Sequence, residues 1–333
     1  MSSCKLAIVG CGGIADAYAA ALARMPNAQL AAVVDPDPAA RARIKQSTSI
    51  DASAPAEFAD LESLARNDAL EIDAALVLTP PNTHEELSCK LLQRGLHVLC
   101  EKPLAPTVAA AERMLQCAST SNRRLMLGSK FRYTNDVSLA RTLLDDEVCG
   151  EIIIYENVFC SHVDMTKRWN ATPEISGGGV LIDNGCHSVD LARHLLGPLS
   201  KVQAQFGTRM QPLDVEDTAR MLFQSESGTL GSIDLSWSVR KETDAYVRLH
   251  GTQGTLEIGW RGSRWKSTDG EWQAFGSGYD KIAAFQSQLQ NFVASITTEA
   301  RPVINDTDAM ASVVVIDCAY QSAQQERWIA IPR

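Results

Sequence analysis

The sequence predicts an α/β fold, with an N-terminal doubly wound parallel sheet followed by an α+β domain that holds a large, mostly antiparallel open sheet. Three observations predict it. Apolar strand-like runs alternate with helical stretches in the first third of the chain, a glycine-rich turn follows the first run, and later strand-like runs are joined by short turns. A length of 333 residues suits about two domains. The change in pattern places them at residues 1–125 and 126–333.

The first third of the chain alternates strands with helices. Its strand-like runs are continuously apolar, so we expect parallel strands that are buried on both faces. The predicted strands are Lys5–Val9, Gln29–Val34, Ala74–Leu78, Leu96–Cys100 and Leu125–Leu127, with a weak strand signal near Ser49–Ala54. The predicted helices are Ile14–Met25, residues 38–45, Thr83–Arg94 and Val108–Ser119. Because ligands bind at the carboxyl ends of such strands, functional residues are expected there.

The remainder of the chain is dominated by strands. Short turns join the later ones, which is typical of antiparallel pairing. The predicted strands are Glu151–Cys160, Lys201–Phe206, Ala219–Gln224, Thr229–Val239, Ala245–His250 and Thr255–Ile258, with helices near 180–196 and 280–297.

A glycine-rich turn follows the first predicted strand. The run Gly10–Ala15 fits the G-x-G-x-x-G/A pattern of dinucleotide-binding turns. Gly10 permits the tight turn, and Gly12 has no side chain to keep a pyrophosphate from the backbone. With Gly13 and Ile14 they open a helix whose positive dipole end faces the phosphates. The context, a strand before and a helix after, predicts nucleotide binding rather than a purely structural turn.

Asp35 ends the second predicted strand, about 20 residues beyond the glycine turn, as the motif requires. Its carboxylate can accept hydrogen bonds from the ribose hydroxyls and repels a 2′-phosphate. The sequence therefore predicts NAD in preference to NADP. A structural alternative for Asp35 is capping of the next helix. Arg41 and Arg43 lie later on that helix and are expected to be solvated.

Lys102 follows another buried strand at the same edge of the sheet, between Glu101 and Pro103. A lysine beside a nicotinamide cation is expected to have a lowered pKa, through partial burial and like charge. That is what a general base near neutral pH requires. A lone lysine after a strand is usually a solvated surface residue, but its place at the ligand edge favours the catalytic interpretation.

A second glycine run precedes the helix predicted near residues 180–196. Asp183 and His187 lie four residues apart on it and share one face, while apolar residues occupy most other positions. A buried Asp/His pair suits a proton relay or a substrate-binding pair; the alternative is an internally bonded structural pair. No third ligand stands at a suitable spacing, so no metal site is predicted.

Three motifs therefore stand in order: the Gly10–Ala15 turn, Glu101-Lys102-Pro103-Leu104, and Gly-Gly-Gly-x-Leu-x-Asp-x-Gly-x-His-x-x-Asp over Gly177–Asp190. This pattern resembles the Gfo/Idh/MocA family (glucose–fructose oxidoreductase, inositol dehydrogenase, rhizopine catabolism) over nearly the whole chain. The resemblance implies a Rossmann domain, a substrate-binding and oligomerisation domain, and hydride transfer between NAD(P) and a sugar, cyclitol or related hydroxyl compound.

The resemblance also implies roles for individual residues. The substrate hydroxyl is expected between Lys102 and His187, either of which can be the base, with Asp183 orienting the substrate or His187. The residues matched to catalysis are Lys102, Asp183 and His187. Those matched to the cofactor beyond the glycine turn and Asp35 are Thr79, Pro80, Asn82, His84, Glu101 and Lys102. Those matched to the substrate are Tyr133, Arg168, Trp169, Asp183 and His187.

Three other functions remain open at this point. Some members of the family hydrolyse glycosides through transient oxidation by tightly held NAD. Others bind NAD(P) without catalysis and act as regulators, a reading that predicts loss of the lysine or histidine that this chain keeps. The third is reduction of a non-sugar carbonyl or diol.

Composition limits the partners. The chain has 31 Lys+Arg against 40 Asp+Glu, a net charge of −9, which argues against nucleic-acid binding. No apolar run approaches the roughly 20 residues of a membrane helix. Nine scattered cysteines without a C-x-x-C pair indicate reduced thiols in a cytoplasmic protein. A broad sheet with one uncovered face predicts a homodimer or homotetramer.

Overall fold

The computed structural model describes residues 3–48, 54–67, 69–298 and 300–332. The chain divides into two compact units. Unit 1 comprises Met1–Ala105, Ala109–Lys130 and Lys281–Met310, and unit 2 comprises Pro106–Val108, Phe131–Asp280 and Ala311–Arg333.

In the described residues, unit 1 contains a sheet of six strands that all pair in parallel, in the order β3-β2-β1-β4-β5-β6. The strands are β1 (Cys4–Val9), β2 (Ala28–Val34), β3 (Ala56–Phe58), β4 (Ala74–Val77), β5 (His97–Glu101) and β6 (Leu125–Gly128). The helices between them are α1 (Ala15–Leu22), α2 (Pro38–Thr48), α3 (Leu61–Ala65), α4 (His84–Gln93) and α5 (Val108–Thr120). The predicted doubly wound sheet is confirmed.

The strand order reverses between β1 and β4, which pair in register from Leu6 with Ala74 to Val9 with Val77. Ligands bind at such a switch point. Strand β4 is fully buried because its residues are apolar on both faces. Of the weak strand signal near Ser49–Ala54, residues 49–53 lie outside the described residues, and β3 begins beyond it.

Unit 2 contains a nine-stranded sheet in the order β14-β13-β12-β11-β7-β10-β9-β8-β15. Among the described residues β7 and β10 pair in parallel, and the other neighbours pair antiparallel, which confirms the predicted sheet. The strands are β7 (Ile152–Cys160), β8 (Leu199–Phe206), β9 (Thr218–Ser225), β10 (Leu230–Ser236), β11 (Ala245–Gly251), β12 (Gly254–Gly259), β13 (Ser263–Ser267), β14 (Gln273–Gly276) and β15 (Ile329–Ala330).

One face of this sheet packs against helices. They are α6 (Asn135–Asp145) and α8 (Val180–Leu196), whereas the short helix α7 (Pro173–Ser176) contacts the turn Trp169–Ala171. Successive side chains of a strand point to opposite faces of the sheet. Tyr155, Phe223 and Ile233 are buried in one core with residues of α8 such as Leu181.

The C-terminal helices divide between the units. Helix α9 (Lys281–Thr297) places Phe285, Leu289 and Phe292 in the core of unit 1, with the Phe285 ring 4.6 Å from that of Tyr18. The domain division therefore differs from a single boundary at residue 125, because the apolar face of α9 packs on α1.

Helix α10 (Asp306–Gln325) was not predicted. Its central Val-Val-Val-Ile run resembles a strand, since β-branched residues favour strands. A capping box at its start was the available signal: Asp308 donates its amide to the Asn305 side chain, and Asn305 donates its amide to the Asp308 carboxylate. In the described part of the chain, no helix combines the length and apolar character needed to cross a bilayer.

Candidate functional site

The glycine turn of unit 1 connects β1 to α1 and lies against the residues that follow β4. Gly10 has φ +94°, and a Cβ there would lie 2.8 Å from Thr79 Cγ2 and 2.9 Å from the main chain of Leu78. Only glycine allows this approach. At Gly12 and Gly13, in contrast, a Cβ would meet no described atom within 4 Å. The backbone of the turn is therefore open to a ligand at the start of α1.

Asp35 lies at the end of β2, beside this turn. Its Oδ2 accepts the amide of Cys11 at 2.7 Å, and its Oδ1 accepts the amide of Asp37 at 2.8 Å. The side chain that bonds the first turn of α2 is Asp37, whose Oδ1 accepts the amide of Ala39 at 2.9 Å. Asp35 thus fixes the glycine turn and is only partly buried, which leaves part of its carboxylate accessible.

Two arginines of α2 return to the same region. Arg43 donates to the main-chain oxygen of Cys11 and pairs with Asp16 at 3.0 Å. Arg41 donates to the main-chain oxygen of Asp35, and its side chain is 15% exposed. The expectation that both are solvated is wrong for Arg41 and incomplete for Arg43, because the folded helix turns both towards acceptors in the glycine turn and β2.

The loops after β4 and β5 are joined by His84, which is fully buried. Its Nδ1 lies 2.9 Å from the Pro103 oxygen and its Nε2 lies 2.8 Å from the Thr79 oxygen. Burial lowers the pKa of His84, although the surrounding carbonyl oxygens oppose that shift. In the same loop Thr83 donates to the Thr79 hydroxyl at 2.7 Å, and Asn82 is exposed.

Glu101 lies beneath the surface, 9% exposed, and is held by a network that the sequence did not reveal. Tyr18 on α1 donates to Glu101 Oε1 at 2.7 Å, and Gln288 on α9 donates to the Tyr18 hydroxyl at 2.8 Å. Burial and the Glu101 carboxylate raise the pKa of Tyr18 well above its usual value, so the phenol stays protonated. The three side chains meet only in the fold, and no local motif announces them.

Lys102 follows directly, half-buried, with its amide donating to Glu101 Oε2 at 3.1 Å. Its peptide bond to Pro103 is cis. The predicted residues of unit 1 are thus gathered at the carboxyl edge of one sheet, on the turn after β1 and the loops after β2, β4 and β5.

In unit 2, helix α8 bears Asp183 and His187 one turn apart, as predicted. His187 is 6% exposed, and Asp183 is half-buried. The helix packs closely on the sheet at Gly185, where a Cβ would lie 3.2 Å from both Ile316 and Leu235. The two polar side chains are therefore held on a rigid, largely buried element.

The segment before α6 fixes the surroundings of His187. Arg132 forms a buried ion pair with Asp190 on α8, with Nε and Nη2 lying 2.8 Å and 2.7 Å from Oδ1. This pair holds the neighbouring Phe131 edge-on to His187, with ring centroids 4.9 Å apart. Tyr133, at the end of the same segment, is 7% exposed.

Two further aromatic residues extend from this ring and were not predicted. Tyr279 stacks on Phe131 at 5.1 Å, and Trp260 contacts Tyr279 edge-on at 5.8 Å. Trp260 is 39% exposed, so the cluster presents an aromatic surface to solvent. Neither residue stands in a recognisable motif, and only the folded contacts connect them with His187.

Arg168 and Trp169 lie on an exposed loop of unit 2. The loop is attached at Met165, whose amide donates to Gln211 Oε1 at 2.9 Å. Asp217 in turn accepts the amide of Gln211 at 2.9 Å and the Ser238 hydroxyl at 2.6 Å. Within the described ranges, no group of three or more His, Cys, Asp or Glu side chains is arranged to hold a metal.

Known proteins share the fold of this chain. A solved structure of levoglucosan dehydrogenase, in complex with NADH and levoglucosan, superposes with a TM-score of 0.91 at 19% identity, covering 100% of both chains. An inositol 2-dehydrogenase of Rhizobium meliloti is 25% identical and covers 98% of this chain and 99% of its own. A levoglucosan dehydrogenase of Pseudarthrobacter phenanthrenivorans is 22% identical, over 100% of this chain and 99% of its own.

Family models match both parts of the chain. The model described as an oxidoreductase family with an NAD-binding Rossmann fold matches residues 4–129, and the GFO/IDH/MocA C-terminal domain matches residues 137–257. The predicted cofactor, NAD, and the predicted oxidoreductase class are thereby confirmed. The chain belongs to the Gfo/Idh/MocA family of NAD-binding oxidoreductases.

Proposed function

We propose that this oxidoreductase is a dehydrogenase that uses NAD to oxidise a hydroxyl group of a sugar or cyclitol. The observation that carries the proposal is the pair Asp183 and His187, two polar side chains on one face of the largely buried helix α8. Such a pair can bind a hydroxyl and accept its proton. Relatives named inositol 2-dehydrogenase and levoglucosan dehydrogenase support this substrate class.

The residues of unit 1 fit the cofactor. The open backbone at Gly12 and Gly13, continuing through Ile14 into α1, suits the pyrophosphate, and the accessible part of Asp35 suits ribose hydroxyls. NAD, when bound, supplies the hydride acceptor. We assign the loops with Thr79, Pro80 and Asn82 and with Glu101 and Lys102 to the nicotinamide end. Because His84 is buried between these loops, we propose that it acts by holding them together.

The proton of the substrate hydroxyl needs a base, and Lys102 and His187 are the two candidates. Asp183 is proposed to orient the substrate. The exposed face of Trp260, with Arg168, Trp169 and the segment ending at Tyr133, is proposed to contact the rest of the substrate, since ligand pockets are lined mainly by aromatic and apolar groups with a few polar ones.

The test is NADH formation with a panel of sugars, cyclitols and sugar acids, with NADP in parallel. Turnover of one of these compounds with NAD is the expected result. Tight NAD binding without net NADH, together with cleavage of a chromogenic glycoside, would refute the proposal in favour of a glycosidase that oxidises its substrate transiently.

Replacing Lys102 tests its role directly. Lys102→Ala should reduce turnover by about 10²–10⁴-fold, because proton transfer by a positioned group contributes about that much, and should leave NAD affinity nearly unchanged. Lys90→Ala, which removes an exposed lysine paired with Glu86 in the same unit, is the control and should keep full turnover. Near wild-type turnover of the Lys102 variant would remove it from the mechanism.

We also propose self-association through the uncovered face of the nine-stranded sheet. Ile154 and Leu230 are neighbours on adjacent strands there and are 47% and 56% exposed, with Leu222 40% exposed nearby. Contiguous exposed apolar residues favour a partner surface. The expected homodimer or homotetramer should dissociate on Leu230→Glu in light scattering. A cytoplasmic location is proposed from the cysteines, of which Cys4 and Cys100 are examples of buried thiols.

A further inference from the structure

The start of α8 lacks a local cap. A helix leaves its first four amide groups without partners inside the helix, and a Ser, Thr, Asp or Asn usually supplies one. In α8 the residue before the first turn is Gly179, and the first three helical residues are Val180, Leu181 and Ile182. None of these side chains can accept a hydrogen bond from the free amide groups. The amide groups must therefore find acceptors elsewhere in the chain.

A residue distant in sequence supplies these acceptors. Oε1 of Glu216 accepts the amides of Gly179 and Leu181, each at 3.0 Å, and the main-chain oxygen of Glu216 accepts that of Val180 at 2.9 Å. Tyr320 on α10 donates its hydroxyl to the same Oε1 at 2.7 Å. We call Glu216 and Tyr320 the α8 cap.

The α8 cap also explains the glycine run. A Cβ at Gly178 would overlap the Tyr320 hydroxyl, and one at Gly179 would overlap the main-chain oxygen of Glu216. Gly177 has φ +83°, which other residues rarely adopt. Gly178 and Gly179 are therefore needed to let the cap approach the backbone, and Gly177 is needed for its own backbone conformation. The space beside Gly178 and Gly179 is occupied by Tyr320 and Glu216, whereas no described atom lies within 4 Å of the Cβ position at Gly12 or Gly13.

The cap is connected to the proposed catalytic pair by one hydrogen bond. The amide of Asp183 donates to the oxygen of Gly179 at 3.1 Å, and His187 lies one turn further on. Glu216 is 9% exposed, so its hydrogen bonds are shielded from competition with water. A carboxylate at a helix N-terminus is also favoured by the helix dipole.

We propose that Glu216, supported by Tyr320, is a positioning residue that fixes the start of α8 and thereby the orientation of Asp183 and His187. The inference rests on the proposed function for its effect on turnover, but the cap itself does not depend on it. A small displacement of catalytic groups can cost about 100-fold in rate, so loss of the cap should lower kcat.

The test compares four variants. Glu216→Ala removes the acceptor and should lower kcat by about 10- to 100-fold while the NAD affinity stays unchanged. Glu216→Gln keeps an oxygen for Gly179 and Leu181 and should regain most of the rate. Tyr320→Phe is a milder change, useful if Glu216→Ala does not fold, and should lower kcat by about 3- to 10-fold.

Ser322→Ala is the matched control. Ser322 is buried on α10, two residues from Tyr320, but accepts the amide of Ala204 on β8 and has no part in the cap. It should lower the Tm and leave kcat unchanged. Turnover is measured with myo-inositol or levoglucosan, whichever the wild type oxidises faster. Amide hydrogen exchange over residues 179–187 is measured in parallel and should be faster in Glu216→Ala.

Several results would overturn the proposal. A wild-type kcat in Glu216→Ala would make the cap merely structural, as would an equal loss of kcat in Ser322→Ala. A Glu216→Gln variant as slow as Glu216→Ala would show that charge and not acceptor geometry is needed. If the wild type oxidises neither compound, hydrogen exchange decides: unchanged exchange in Glu216→Ala refutes the cap, and faster exchange supports it while the proposed function fails separately.

Discussion

The buried pair Arg132 and Asp190 should contribute strongly to the stability of unit 2. Their side chains are 3% and 1% exposed, so removing either partner leaves a charge in the protein interior. Breaking a buried ion pair in this way costs about 3–5 kcal/mol. We therefore expect Arg132→Met and Asp190→Leu each to destabilise unit 2 by that amount.

The double variant separates the pair from the packing. Two apolar residues of similar volume often replace a buried ion pair at little cost. Arg132→Met with Asp190→Leu should therefore recover most of the stability lost in either single variant. The losses in free energy of unfolding caused by the two single substitutions should not add in the double variant, because each substitution removes the same interaction.

Tryptophan fluorescence in urea is a suitable assay, because all six tryptophans lie in unit 2. At about 2 kcal/mol per molar urea, each single variant should lower the unfolding midpoint by about 1.5–2.5 M. A shift below about 0.5 M, or a double variant as unstable as the sum of the singles, would refute the reasoning. The same variants should lower turnover, because the pair holds Phe131 against His187.

Four other substitutions test the site and the residues that support it. Gly10→Ala should lower the free energy of unfolding by about 1–3 kcal/mol through backbone strain. Gly12→Ala should leave the Tm unchanged and weaken NAD binding, measured by calorimetry, at least about tenfold. Equal losses of Tm in the two variants would contradict this assignment. Asp35→Ser should lower the ratio of kcat/KM with NAD to kcat/KM with NADP by about tenfold or more. The substitution removes the charge that repels a 2′-phosphate beside Arg41. Burial alone would raise the pKa of Asp217, but its hydrogen bonds hold the pKa below the usual range. Asp217→Asn should therefore destabilise unit 2 by about 1–3 kcal/mol at neutral pH. The difference in stability between the wild type and Asp217→Asn is fully present above the unfolded pKa of about 3.9 and is lost as the pH falls through the lower pKa of the folded state. A difference in stability that does not change with pH would contradict the assignment.

Much of the fold could be predicted because its signals are local. Continuous apolar runs between helical stretches predict a buried parallel sheet. The turn after β1 is recognised from the spacing of glycines that lie close together in the sequence. Asp183 and His187 share a face because they are four residues apart on one helix, whatever lies around it. Helix α10 was missed because its valine run favours a strand locally and its burial depends on remote residues.

The two glycine runs show where the sequence stops being sufficient. Both precede a helix, and the sequence alone identified each as glycine-rich and helix-opening. The tertiary structure decided that the first is open, at Gly12 and Gly13, and that the second is filled by Glu216 and Tyr320. The physical reason is that backbone amide groups must be satisfied by some acceptor, and the identity of that acceptor depends on which distant residues the fold brings within hydrogen-bonding distance.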